Sequence, residues 1–164
     1  MISGNEILIV DDSASDVELT VHTLRKSKLA NKITVAEDGA QALDFLFCRG
    51  AYSGRAFEHP PRVVLLDLKM PKVDGIGVLR AIRGDPRTRA IPVVVLTSSK
   101  EQRDLVESYN LGVNAYIQKP VEFERYRQVV EQIGMFWLVV NEPPPMDCFG
   151  CESSLTNPNA RSKA

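Results

Sequence analysis

Five short, mostly apolar runs recur along the chain, and each ends at a polar or charged residue. They are Glu6–Val10 (EILIV), Lys32–Ala36 (KITVA), Val63–Leu66 (VVLL), Pro92–Leu96 (PVVVL) and Ala115–Ile117 (AYI). The stretches between and after them carry apolar residues at helical spacing. Val17, Val21 and Leu24 follow the first run, and Ala42, Leu43, Phe45 and Leu46 the second. Ile76, Leu79 and Ile82 follow the third, EQRDLVESYNL the fourth, and Phe123, Tyr126, Val129, Val130 and Ile133 the fifth. VVLL offers no polar face, which predicts burial on both sides, the habit of parallel sheets. Parallel neighbours need long crossovers, and these are almost always right-handed. The alternation therefore predicts an α/β fold: a doubly wound, five-stranded parallel sheet with helices on both faces.

Local signals mark the joints. Ser13 or Ser15 can cap the first helix, with Glu18 three residues after Ser15 as in a capping box. Gly50 and Gly112 are helix stops, and AYSGRAFEHPPR is a loop by its Gly and Pro content. Pro92 takes the first position of its strand, where a missing N–H is tolerated. FERYRQVVEQIGMFWLVV reads as one long final helix. Residues 1–141 are expected to form one domain, and 142–164 a polar tail without regular structure.

In a parallel sheet all strands end at one edge, where ligands bind. Asp11 and Asp12 follow the first strand, Asp67 the third, Thr97 and Ser98 the fourth, and Lys119 the fifth. The fold would gather three carboxylates, a hydroxyl pair and a lysine into one pocket. The carboxylates would repel one another, and a divalent cation would relieve that. Mg2+ suits such oxygen ligands and keeps several waters. With Lys119 as a point charge for phosphate and Thr97 as a donor, the pocket is suited to phosphoryl transfer onto an Asp nucleophile. Each residue taken alone has a plainer role: helix-capping acids, a hydroxyl N-cap cluster at Thr97-Ser98-Ser99, a solvated loop lysine, and a turn at Asp74-Gly75. The joint placement at strand ends favours the pocket.

Charge is balanced, with Lys plus Arg 20 against Asp plus Glu 21. No basic excess is present to grip nucleic acid. The N-terminal MISGNEILIVDD lacks the positive region of a signal peptide. The longest apolar stretches fall short of the ~18 residues of a membrane span, so a cytoplasmic protein is expected. Cys148 and Cys151 form a C-x-x-C, but a zinc site needs about four ligands and the other Cys and His residues are far off in sequence. They read as two tail cysteines.

ILIVDD, VVLLDLKMPKVDG, VVVLTSS and AYIQKP resemble the receiver domain of two-component response regulators over about residues 5–140. The resemblance implies the flavodoxin-like strand order 2-1-3-4-5. It also implies Asp67 as phosphoacceptor, Asp12 as direct Mg2+ ligand, Asp11 assisting through water, and the backbone carbonyl of Lys69 as a further ligand. Thr97 would contact the phosphoryl group, Lys119 would pair with it from the other side, and Tyr116 would be the aromatic switch residue that turns inward. FLFCRGAYSGRAFEHPPR, IRGDPRTRAIPVVVLTSS, YNLGVNAYIQKP and the FW of GMFWLVV are similar to the small regulators that partner bacterial phytochromes. That implies a phytochrome-like sensor histidine kinase as partner, and a homodimer through the fourth helix, fifth strand and fifth helix. Two features depart from that group: Lys69 in place of the frequent Asn, and the Cys-bearing tail.

Too few residues follow position 140 for a DNA-binding module, so output through a protein surface is expected. An aspartyl-nucleophile phosphohydrolase is the competing enzyme class. It usually has a second acid two residues after the first, where this chain has Lys69. No P-loop is present. A module that signals by binding alone would have lost the acids or the lysine, and none is lost.

Overall fold

The computed structural model describes residues 5–30 and 32–150. Five parallel strands, β1 (Glu6–Val10), β2 (Lys32–Ala36), β3 (Val63–Leu66), β4 (Val93–Thr97) and β5 (Ala115–Gln118), stand in the order β2-β1-β3-β4-β5. Between and after them run α1 (Ala14–Ser27), α2 (Gly39–Leu46), α3 (Gly75–Gly84), α4 (Gln102–Asn110) and α5 (Phe123–Met135). The pleat deals strand residues alternately to two cores. Leu8, Val10, Val64, Leu66, Val93 and Val95 face Phe45 of α2 and Leu79 and Ile82 of α3. Ile7, Ile9, Val63, Leu65, Val94 and Leu96 face Leu24 of α1 and Tyr126, Val130 and Ile133 of α5. The three middle strands are buried on both sides, as VVLL required.

Register aligns the strand ends. Val10 pairs with Leu66, Leu66 with Val95, and Thr97 with Gln118. The ladder runs one residue further: Asp67 N–H donates to Val10 O at 2.9 Å, and Lys119 N–H to Thr97 O at 2.7 Å. The backbone ladder thus ends Asp11, Asp67, Thr97 and Lys119 at one edge of the sheet, with Asp67 bonded to Val10 and Lys119 to Thr97. Beyond Asp67, a tight loop returns to α3, where Gly75 N–H donates to Leu68 O at 3.0 Å. A Cβ on Gly75 would lie 2.2 Å from Asp67 O, and one on Gly39 would lie 1.9 Å from Val73 O. Only glycine allows the two helices to press this closely on the loop.

Several details differ from the sequence expectation. α2 ends at Leu46, so Gly50 opens a 3-10 turn over Gly50–Tyr52 and does not stop the helix. β4 and β5 each run one residue further, to Thr97 and Gln118. Pro92 precedes β4 rather than opening it, and its carbonyl accepts from Val64 N–H at 2.9 Å. The final helix does not run to Val140: α5 stops at Met135 and a wider π turn carries Phe136–Val140. The region 142–164 is not wholly irregular, since a 3-10 turn over Met146–Phe149 places Phe149 in the α2–α3 core at 3% exposure. Cys148 is exposed, whereas Cys151 and the rest of the expected tail lie outside the described residues.

The stretches IRGDPRTRAIP and YNLGVN have a structural use. Arg83 donates to the carbonyls of Gly112 (3.0 Å), Arg89 (3.0 Å) and Ile91 (2.8 Å) and to Asn114 Oδ1 (2.9 Å), clamping the entrance of β4 to that of β5. Asn114 Oδ1 also accepts from Val93 N–H at 2.8 Å. Arg83→Ala strips these acceptors of their donor and should cost about 1–3 kcal/mol in urea unfolding. An unchanged midpoint would show the clamp to be decorative.

Candidate functional site

Asp67 is 5% exposed and its two carboxylate oxygens have separate partners. Oδ1 accepts from Thr97 Oγ1 at 2.9 Å and from the Lys69 backbone N–H at 3.3 Å. Oδ2 accepts from Lys119 Nζ at 3.3 Å. Asp11 Oδ1 accepts from Ser13 N–H at 2.9 Å, and its Oδ2 takes Lys119 Nζ at 2.8 Å. Asp12, one residue on, is exposed and lines an adjoining cleft. Asp11, Asp12 and Asp67 bring one carboxylate oxygen each to within 4.8 Å of one another, close enough to share one cation. That oxygen-only donor set fits a hard divalent ion.

The Lys119 side chain is 8% exposed. Burial alone would disfavour its charge, but the hydrogen bonds to Asp11 and Asp16 outweigh it and push the ammonium pKa up. Burial pushes the Asp11 carboxyl up, and Lys119 pulls against that. The ammonium stays charged among these carboxylates.

Several assignments change in detail. Of the serines after β4, Ser98 is exposed, and Ser99 turns back toward the site. Ser99 N–H donates to Thr97 Oγ1 at 3.2 Å, and Ser99 Oγ donates to Asp104 Oδ2 at 2.5 Å. Thr97 therefore serves the pocket, while Ser99 Oγ also accepts from Glu101 N–H at 3.3 Å at the start of α4, whose N-cap is Glu101. Asp74 does cap α3, accepting from Gly77 N–H at 2.8 Å. Lys69 does not add its charge to Asp67: its ammonium lies 3.2 Å from Asp104 and 3.4 Å from Glu101. Against burial, Ser99 and Lys69 hold the Asp104 carboxyl below its usual pKa. Tyr116 is already inward, its ring packed on the α2–α3 core, and burial raises its pKa.

Sequence reasoning missed Asp16 and Asp104. Asp16 sits in the first turn of α1, where Ser13 is the N-cap and accepts from Asp16 N–H at 3.4 Å. Its carboxylate takes Lys119 Nζ at 2.9 Å. An acid in a first helical turn is so ordinary that nothing in the sequence sets this one apart. Asp104 has the same disguise in α4. Beside the site a cleft of about 390 Å³ opens between Asp12, Leu68, Lys69, Met70, Asp74 and Asp104.

Among known proteins, the chain matches the response regulator receiver domain over residues 7–131. The probable methanogenesis regulatory protein FilR2 of Methanothrix harundinacea is 41% identical over 138 residues, 84% of this chain and 86% of its own. The response regulator Rcp1 of Synechocystis is 38% identical over 132 residues, 80% of this chain and 88% of its own. The structure of Rcp1 in its Mn(2+)-bound form covers 86% of this chain and 99% of its own at 36% identity, with a TM-score of 0.80. The bacteriophytochrome response regulator RtBRR is 51% identical, with a TM-score of 0.67 over 87% of this chain and 85% of its own.

Proposed function

The chain belongs to the response regulator receiver domain family, and from that premise we propose that Asp67 accepts a phosphoryl group from the phosphohistidine of a sensor histidine kinase. The observation that carries this is the convergence of Asp67 with Asp11, Asp12, Thr97 and Lys119 at one sheet edge. Asp11, Asp12 and Asp67, with the backbone carbonyl of Lys69, would hold Mg2+, which would supply positive charge to the oxygens of the transferring group. A carboxylate oxygen of Asp67 attacks phosphorus, the P–N bond breaks, and the electron pair leaves with the imidazole. Thr97 Oγ1 and Lys119 Nζ, both already bonded to Asp67, are placed to donate to phosphoryl oxygens as the acyl phosphate forms. Lys69, held by Glu101 and Asp104, replaces the acid that a phosphohydrolase would use at that position, so the protein is read as a switch without a turnover substrate. The likeness to RtBRR, a bacteriophytochrome response regulator, supports a phytochrome-type kinase as partner, and with it a cytoplasmic location. The test is incubation with Mg2+ and a small phosphodonor, then trapping and mass spectrometry. Labile phosphate on any residue but Asp67 overturns the assignment.

We also propose output through a homodimer on the α4–β5–α5 face. Val106 and Tyr109 of α4 and Met135 at the end of α5 are exposed, and in the run after α5 only Leu138 is buried, while Phe136, Val139 and Val140 are 47–62% exposed. Large apolar side chains exposed in this number mark contact sites. Phe136 stacks edge-on against Trp137 with centroids 4.9 Å apart. Sedimentation across a concentration series, with and without phosphodonor, should show self-association that phosphorylation shifts. Phe136→Ala should weaken it by about tenfold or more. A monomer throughout rejects the dimer, and an unchanged affinity rejects the coupling.

A further inference from the structure

Lys119 has three N–H donors and three carboxylate partners, Asp11 at 2.8 Å, Asp16 at 2.9 Å and Asp67 at 3.3 Å. Two of the three, Asp11 and Asp67, belong to the group that converges as candidate cation ligands. Asp16 does not. The side chain of Asp16 is 34% exposed and comes from the first turn of α1. A cation drawing on Asp11 and Asp67 competes with the ammonium for the same oxygens. Lys119 is nearly buried, so an ammonium that loses acceptors there has little water to replace them.

We propose that Asp16 is a positioning residue: it holds Lys119 at the acceptor while Asp11 and Asp67 turn to the metal. This rests on the metal and acceptor roles proposed above. The bond to Asp16 lets the ammonium give up its other partners without leaving the pocket. Without Asp16, Lys119 falls back on Asp11 and Asp67 and opposes the cation. Asp16 thus favours metal binding through Lys119, without touching the metal.

The test is a double-mutant cycle on Mg2+ binding, read by calorimetric titration of the full chain with Asp16→Asn, Lys119→Met and the pair. Asp16→Asn leaves the helix bonds made by the Asp16 backbone N–H and carbonyl in place. Where Lys119→Met does not fold, Lys119→Gln, which keeps donors for the same carboxylates without the charge, replaces it. In the parent background Asp16→Asn should weaken Mg2+ binding by about threefold or more, and in the Lys119 variant by much less. Equal weakening in both backgrounds means that Asp16 acts on the cation directly and overturns the proposal. No weakening in the parent overturns it too. Phosphoryl labelling of the unaltered protein is scored separately. Coupling without label on Asp67 retains the role of Asp16 and rejects the acceptor, and label without coupling rejects the role of Asp16 alone.

Discussion

Asp67→Asn should take up no phosphoryl group and should at the same time be slightly more stable than the parent when divalent ions are absent. The first half follows from chemistry. An amide has no carboxylate oxygen to form the acyl phosphate, and among the described residues no other carboxylate has both Thr97 and Lys119 as partners. The second half follows from charge. Asp11, Asp16 and Asp67 surround a single ammonium, with Asp12 close by. The amide keeps the shape and its oxygen can still accept from Thr97 and the Lys69 N–H; its nitrogen gives up the long bond from Lys119, which keeps Asp11 and Asp16, while one like charge is removed. Relief should be on the order of 1 kcal/mol, or roughly 3 °C in Tm for a chain of this size. Labelling that persists in the variant would dismiss Asp67 as the acceptor. A large fall in Tm would mean that its charge holds Lys119 in place and that the pocket is not electrostatically frustrated.

Removing the metal should have the next largest effect. With EDTA, or in Asp12→Ala, labelling by a small phosphodonor should slow by roughly 100-fold or more, since a cation supplies several kcal/mol to a transition state of this kind. Asp12 is the informative residue because it is exposed, whereas Asp11 is already bonded to Ser13 and Lys119. Its loss leaves those bonds intact, so the melting curve without metal should barely move. Full-rate labelling in EDTA would remove the metal from the mechanism.

The parts legible in the sequence are those fixed by local pattern plus one topological rule. VVLL, ending at Asp67, is apolar on both faces, so a parallel sheet was required, and a parallel sheet puts Asp11, Thr97 and Lys119 beside Asp67. What was not legible depends on contacts between distant segments. Whether Ser98 or Ser99 turns inward depends on how the chain leaves β4, and Ser99 does so to reach Asp104. The partnership of Asp16 with Lys119 spans 103 residues. Phe149 was hidden among prolines and polar residues, where no periodicity shows that one aromatic ring enters the core. The end of α5 was misread because Phe136–Val140 is apolar throughout, and a uniform run cannot signal a change of helical pitch.

The contact of Gly75 with the carbonyl of Asp67 bears on how variants of this protein should be interpreted. A methyl group at Gly75 would sit 2.2 Å from that oxygen, where ordinary contact begins near 3.4 Å. The strand end would have to yield, and with it the direction in which the Asp67 carboxylate leaves the backbone. Gly75 offers no atom to metal, donor or phosphate. In an activity screen its replacement would nonetheless score beside the acidic residues, and a ranking by lost signal alone would class it as chemistry. Metal affinity and phosphoryl uptake measured on the same variant separate the two, because a displaced carboxylate spoils both together while every charged group of the pocket is still present.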